Sequence, residues 1–286
     1  MRVQPLLIGA IVFGFLIAPA QAQRPDVWNA PPTDRQHSPA EVGTTLDRAG
    51  KRNAPHEISA TPKSVEEDLS CLLPPLTSVR SPTIAAAGLK IPTNAKKAYA
   101  NACAALKDKK TELVEKYLHK AVQEYPQYSA AWVTLGQVLA ARQQTEEARS
   151  ACSQGSAVDS SYVPAYLCLA DIAAREKAWD DVLKLSGRAL EIDPANNAVA
   201  YEYNAAANLR SNNLVAAERS ALRALDIDKD NSEPRVHFVL AQIYEAKGDR
   251  VNEGAQLREY LKFASNPEDV AMVKRYLSEL DTQTSK

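Results

Sequence analysis

The fold is decided by a stretch of 34 residues, 129–162, whose sequence is SAAWVTLGQVLAARQQTEEARSACSQGSAVDSSY. In its first half, Trp132 and Leu135 fall on one face of a helix, and Gly136 between the apolar residues lets a second helix approach closely. In its second half, the small residues Ala148 and Cys152 have helical spacing. The stretch therefore predicts two packed amphipathic helices joined by a short turn.

The same pattern recurs along the chain with a period of 34 residues. Three sets of residues have this spacing: Pro126, Ser160 and Pro194; Ala98, Trp132 and Tyr166; and Ala102, Gly136 and Ala170. Agreement at three phases is typical of repeat proteins, in which each helix pair buries its apolar face against its neighbours.

The order of residues within each unit resembles that of the tetratricopeptide repeat (TPR). A bulky residue is followed by Leu-Gly or Leu-Ala, then by a small residue in the second helix, and then by a closing Pro. We place five units at 95–128, 129–162, 163–196, 198–231 and 234–267, and a capping helix at 267–280. The fourth unit starts one residue late, at the insertion of Asn197, and the fifth starts two residues late, at Ser232-Glu233. The resemblance implies an all-α, right-handed superhelical solenoid whose first helices line a concave groove.

The resemblance also implies that this groove binds a protein or peptide partner. The residues at the groove-facing places of the first helices are Lys96, Tyr99, Lys107, Val133, Gln137, Leu167, Asp171, Arg175, Glu202, Leu209, Arg210, Arg235, Phe238 and Gln242. Tyr99 and Cys103 stand at two places where carboxylate-gripping relatives have polar residues, which disfavours a clamp for a chain terminus. For the Ala and Val places, the alternative is packing between adjacent first helices.

Residues 1–22 read as a secretory signal peptide, with Arg2, an apolar run over 6–18 and small residues within 20–22. We expect the mature chain to begin at Gln23 and to lie in the periplasm or cell envelope without membrane insertion. The alternative is an uncleaved anchor in the inner membrane.

Residues 23–92 read as a largely disordered linker or arm. Residues 24–92 contain ten prolines, and this composition disfavours a packed core. Ser64 followed by Glu67 is a capping box, which predicts one short helix near 64–73.

The four cysteines are Cys71, Cys103, Cys152 and Cys168. Cys152 and Cys168 lie eight positions on either side of residue 160, so an antiparallel helix pair brings them to one height and within the roughly 4.4–6.8 Å of bonded Cα atoms. Two buried thiols are the alternative there. A second pair, Cys71 with Cys103, would pin the arm onto the first unit.

The charge and the scattered histidines disfavour several classes of function. A net charge of −1 gives no attraction to nucleic acid. His37, His56, His119 and His237 form no catalytic or metal-ligand spacing, so we expect neither enzyme activity nor a cofactor. The leading hypothesis is a non-enzymatic interaction scaffold. The alternatives are an assembly factor that oligomerises or supports an outer-membrane or secretion complex, and an enzyme with its catalytic groups in the arm.

Overall fold

A computed structural model describes residues 71–79, 90–229 and 233–284. Regular structure in these ranges is wholly helical: a 3-10 helix, Leu76–Ser78, and eleven α-helices. Their bounds are α1 Thr93–Lys107, α2 Thr111–Glu124, α3 Ser129–Ala141, α4 Thr145–Val158, α5 Val163–Arg175, α6 Trp179–Ile192, α7 Ala198–Arg210, α8 Leu214–Ile227, α9 Arg235–Ala246, α10 Arg250–Phe263 and α11 Pro267–Thr284. The predicted signal peptide and most of the proline-rich arm lie outside the described residues. Of the short helix predicted near 64–73, only residues 71–73 are described, and these are not helical.

The two helices of each pair are joined by a turn of one repeated geometry. In the turn between α3 and α4, the Gln143 N–H donates to the Ala140 carbonyl and the Gln144 N–H to the Leu139 carbonyl, both at 3.0 Å. This is a Schellman motif, whose central residue has a left-handed backbone. The left-handed residues of the five turns are Lys109, Gln143, Lys177, Asn212 and Gly248, with φ between 57° and 76°.

Successive repeats are tied together by the bulky residue at the fourth place of the first helix. Trp132 Nε1 donates to the Pro126 carbonyl at 2.8 Å, and Tyr166 OH donates to the Ser160 carbonyl at 2.9 Å. The aromatic residue thus closes the turn that precedes its own helix. This contact explains why Trp132 and Tyr166 have the same 34-residue spacing as Pro126 and Ser160.

Alanine fills much of the space between helices, which lets them pack closely. One apolar cluster runs from α1 to α9. A second joins α9 and α10 to α11, where Val273 and Leu280 are buried while Lys274 and Arg275 remain exposed. Tyr276 OH donates to Glu253 Oε1 at 2.6 Å and fixes α11 on α10.

The helix pairs and the terminal helix confirm the predicted all-α repeat solenoid with a C-terminal cap. Within the described part of the chain, no helix combines the length and the apolar character that a membrane span requires.

Candidate binding groove

The ninth residues of successive repeats lie on the first helices and form one row. In the first three repeats these residues are Cys103, Gln137 and Asp171. Residues 71–79, called here the groove segment, begin at this row, because Cys71 forms a disulfide with Cys103 across a Cα–Cα distance of 5.1 Å. The groove segment therefore enters the groove at the first repeat.

Gln137 holds the main chain of the groove segment at the second repeat. The Leu73 N–H donates to Gln137 Oε1 at 3.0 Å, and Gln137 Nε2 donates to the Leu73 carbonyl at 2.9 Å. One side-chain amide thus satisfies both polar groups of one residue, as a neighbouring β-strand would. This contact recognises main-chain groups and does not depend on the side chain of the bound residue.

Apolar side chains of the groove segment are buried against the repeats. Leu76 has no exposed surface, and Leu72 and Val79 are 4% and 3% exposed. The 3-10 helix that carries Leu76 contacts α5. Burying a leucine side chain is worth about 1.5–3 kcal/mol, so these residues supply most of the non-covalent attraction.

A buried polar cluster meets the far end of the groove segment. Ser78 Oγ donates to Glu233 Oε1 at 2.8 Å. Burial, followed by the nearby Glu202 carboxylate, raises the pKa of Glu233 from 4.5 to about 8. The pKa of Glu202 is also raised by burial, which the Arg235 guanidinium at 3.0 Å partly offsets. The groove segment thus ends on a carboxyl group that is largely protonated at neutral pH.

Asp171, the third residue of the row, is held by side chains of its own repeat and of the next one. Its Oδ1 accepts from Tyr203 OH and its Oδ2 from Arg175 Nε, each at 2.8 Å. Leu73 and Pro74 line the small cavity between Gln137 and Asp171. Asp171 and Arg175 therefore shape the wall beside the groove segment.

The structure divides the predicted groove residues into three groups. Tyr99, Val133, Leu167, Glu202 and Phe238 are buried; Gln137, Asp171, Arg175, Leu209, Arg235 and Gln242 are partly buried; and Lys96, Lys107 and Arg210 are exposed. The buried group packs between helices: Tyr99 OH lies 3.1 Å from Thr134 Oγ1, and the rings of Phe238 and Tyr260 are 5.6 Å apart. For Val133, this burial agrees with the alternative that the Ala and Val places pack between adjacent first helices. The Arg210 guanidinium lies over the Trp179 ring, 5.4 Å from its centroid.

Sequence reasoning missed that part of the arm occupies the groove. The signal that pointed to it was the pairing of Cys71 with Cys103, because Cys103 stands at a groove-facing place. The Leu-Leu-Pro-Pro-Leu run at 72–76 was a second signal, since it is too apolar for a solvated linker.

The other disulfide lies between repeats. Cys152 on α4 is bonded to Cys168 on α5, with the Cα atoms 6.0 Å apart and both residues buried. A methyl group at Gly136 would overlap Cys152 Sγ, so the small residue at 136 makes room for this bond. No three His, Cys, Asp or Glu side chains gather as metal ligands in the described ranges.

Serial helix pairs with a concave groove define the class of superhelical repeat scaffolds. A family model described as tetratricopeptide repeat matches residues 95–169, while no curated protein sequence matches the chain. A thermophilic TPR protein of Thermus thermophilus is a similar solved structure, at 16% identity over 65% of this chain and 98% of that one, with a TM-score of 0.52.

Two further similar structures are PilW, described as a widely conserved type IV pilus biogenesis factor, and PilF of Pseudomonas aeruginosa. PilW has 12% identity over 66% of this chain and 86% of its own, with a TM-score of 0.58. PilF has 13% identity over 67% and 86%, with a TM-score of 0.57. At these identities the likeness concerns the fold. Together, the helix pairs and the family model over 95–169 show that this chain contains tetratricopeptide repeats.

Proposed function

We propose that this protein is an interaction scaffold whose concave groove binds a peptide segment of a partner protein. The contact that carries the proposal is the paired hydrogen bond of Gln137 with the Leu73 N–H and carbonyl. A groove that already accommodates the groove segment has the space and the polar groups that a second peptide segment needs. In this proposal the partner takes the place of the groove segment.

A matched pair of glutamine variants tests where the partner binds. Gln137→Ala removes the amide from the groove, whereas Gln154→Ala removes one from the exposed face of α4. We expect capture of partners by the full-length protein, with the Cys71–Cys103 bond reduced, to fall at least tenfold with Gln137→Ala and to be unchanged with Gln154→Ala. Equal capture by both variants would exclude the groove as the binding site.

We further propose that the protein works in the cell envelope. The secretory pattern over residues 1–22 supports export. Two disulfides support an oxidising compartment, where such bonds persist. Mass determination of the protein recovered from periplasmic extract tests this, and a mature chain that begins at Gln23 is the expected result. Recovery of the uncleaved chain with the inner membrane would favour the anchored alternative.

A role as an assembly factor is the second candidate. It is supported by the likeness in fold to PilW, a type IV pilus biogenesis factor. Sedimentation of the purified protein separates the two, since self-assembly predicts a mass that rises with concentration. A monomer at all concentrations would remove the form of this candidate that depends on oligomerisation.

A further inference from the structure

The two disulfides differ in the access that solvent has to them. Cys152 and Cys168 are 0% and 2% exposed, inside the interface of α4 and α5. Cys103 is partly exposed on α1 at the edge of the groove. Because thiol–disulfide exchange requires a thiolate to reach one of the sulfur atoms, a dithiol reaches the Cys71–Cys103 bond first.

The groove segment has little structure of its own to keep it in place. Its regular structure is limited to the three residues Leu76–Ser78. Its polar contacts with the repeats include the Gln137 pair at Leu73 and the bond from Ser78 to Glu233. The covalent bond at Cys71 keeps the local concentration of the groove segment high, so a free peptide cannot compete well with it.

We propose that the Cys71–Cys103 disulfide is a redox latch on the groove. With the bond intact, the groove segment occupies the groove. After reduction by a dithiol, the groove segment leaves and an apolar peptide takes its place. This inference rests on the proposed function, since it assumes that the groove is the binding site.

The opening reaction is a two-electron exchange with a dithiol. A thiolate of the dithiol attacks Cys103 Sγ, forms a mixed disulfide and releases Cys71 as a thiolate, which takes up a proton. The second thiol of the dithiol then attacks the mixed disulfide and releases Cys103, which is protonated in turn. The dithiol becomes a disulfide, and the protein gains two electrons and two protons.

The displaced chain defines the chemistry of the incoming one. A peptide that replaces it needs a main-chain N–H and carbonyl opposite Gln137 and branched apolar side chains at the places of Leu72 and Leu76. The side chain at the place of Ser78 should be neutral or a hydroxyl donor, since Ser78 meets the protonated Glu233. The groove segment itself, LLPPLTSV at 72–79, is therefore the probe of choice.

Hydrogen exchange and thiol labelling of the full-length protein test the latch. We expect limiting dithiothreitol to free Cys71 and Cys103 for alkylation at least tenfold faster than Cys152 and Cys168. Opening the 32-residue loop at Cys71 should speed exchange of the Leu73 amide about 100- to 1,000-fold. The Gln144 amide, which lies in a turn between helices, serves as the internal control.

The double variant Cys71→Ser/Cys103→Ser reports the open form without reductant. It should show the same fast exchange at Leu73 and should bind a fluorescent synthetic LLPPLTSV peptide, which the oxidised wild type should not. Slow Leu73 exchange in this variant, or equal reduction rates for the two disulfides, would overturn the latch. Fast exchange without peptide binding would uphold the latch and overturn the groove as a binding site.

Discussion

The two disulfides join different kinds of structure. Cys152–Cys168 links α4 and α5, two helices that pack on each other in any case, and both cysteines are buried. Cys71–Cys103 links α1 to a segment whose regular structure is a single 3-10 turn. The first bond reinforces a contact that the repeat pattern already specifies. The second bond fixes the position of the groove segment, which the repeat pattern does not specify.

Removing each bond in turn should give the largest difference between the two regions. Cys152→Ala/Cys168→Ala should lower the free energy of unfolding by about 3 kcal/mol, because the unfolded chain regains the freedom of a short loop. Cys71→Ala/Cys103→Ala should cost less, because the groove segment can leave the groove while the helices stay folded. That freedom is then gained in the folded state as well. Urea denaturation followed by far-ultraviolet circular dichroism measures both, and equal losses would make the groove segment an integral part of the fold.

Gly136 sharpens the comparison from the side of the buried bond. Gly136→Ala should cost about 1–3 kcal/mol in urea denaturation, because the added methyl group overlaps Cys152 Sγ and lies 3.0 Å from the Ala148 carbonyl oxygen. The matched control is Gly187→Ala on α6, where nothing lies within 4 Å of the new atom. This control should stabilise the protein by roughly 0.5–1 kcal/mol through helix propensity.

A coupling measurement shows whether the sulfur itself is the obstacle at Gly136. In the Cys152→Ala/Cys168→Ala background, the cost of Gly136→Ala should shrink but not vanish, since the Ala148 carbonyl remains. An unchanged cost would mean that helix packing alone excludes the methyl group.

The sequence was sufficient for the repeats because their contacts are local or between neighbours. The 34-residue period of Trp132 and Tyr166 reflects a hydrogen bond to a carbonyl six residues earlier. Such contacts leave a regular pattern, and the five helix pairs follow from it. The left-handed turns were readable only at Gly248, because lysine, glutamine and asparagine at the other four give no comparable signal.

The groove segment was not predictable by the same reasoning. Its partner at Leu73 is Gln137, 64 residues away, and a single glutamine on a helix surface has no period that marks it as a binding residue. Residues 23–92 were also interpreted from their average composition, which is rich in proline. This average concealed the apolar run at 72–76. Five groove candidates are buried because they pack between helices, as Tyr99 does against Thr134 and Phe238 against Tyr260.

Glu233 tests the groove region through pH. Burial raises its pKa from 4.5 to about 8, so the folded state holds the proton more tightly than the unfolded state does. Its contribution to stability is complete below about pH 4.5 and is lost as the pH rises through 8. Between pH 6 and 8 the loss is about 2 kcal/mol.

The variant Glu233→Gln should remove this pH dependence and keep the hydrogen bond from Ser78. Urea denaturation of wild type and variant at pH 6 and pH 8 gives the difference, with Glu202, Asp228 and Arg235 present in both proteins. These three groups also face Glu233, and their contribution to the pH dependence is therefore present in both proteins. Parallel pH profiles of the two proteins would show that Glu233 is ionised in the folded state.

The smallest effect concerns the turn that leads into α4, the helix that carries Cys152. Gln143 has φ 63°, whereas the equivalent residue of the last repeat is Gly248 with φ 76°. Gln143→Gly should stabilise the protein by roughly 0.5–1 kcal/mol, and Gly248→Gln should destabilise it by a similar amount, because only glycine adopts this backbone without a steric penalty. Combining Gln143→Gly with Cys152→Ala/Cys168→Ala should recover only a fraction of the lost stability, since turn geometry and the buried bond contribute independently. A full recovery would mean that the bond serves mainly to hold this turn, and the contrast between a reinforcing disulfide and a positioning one would then fail.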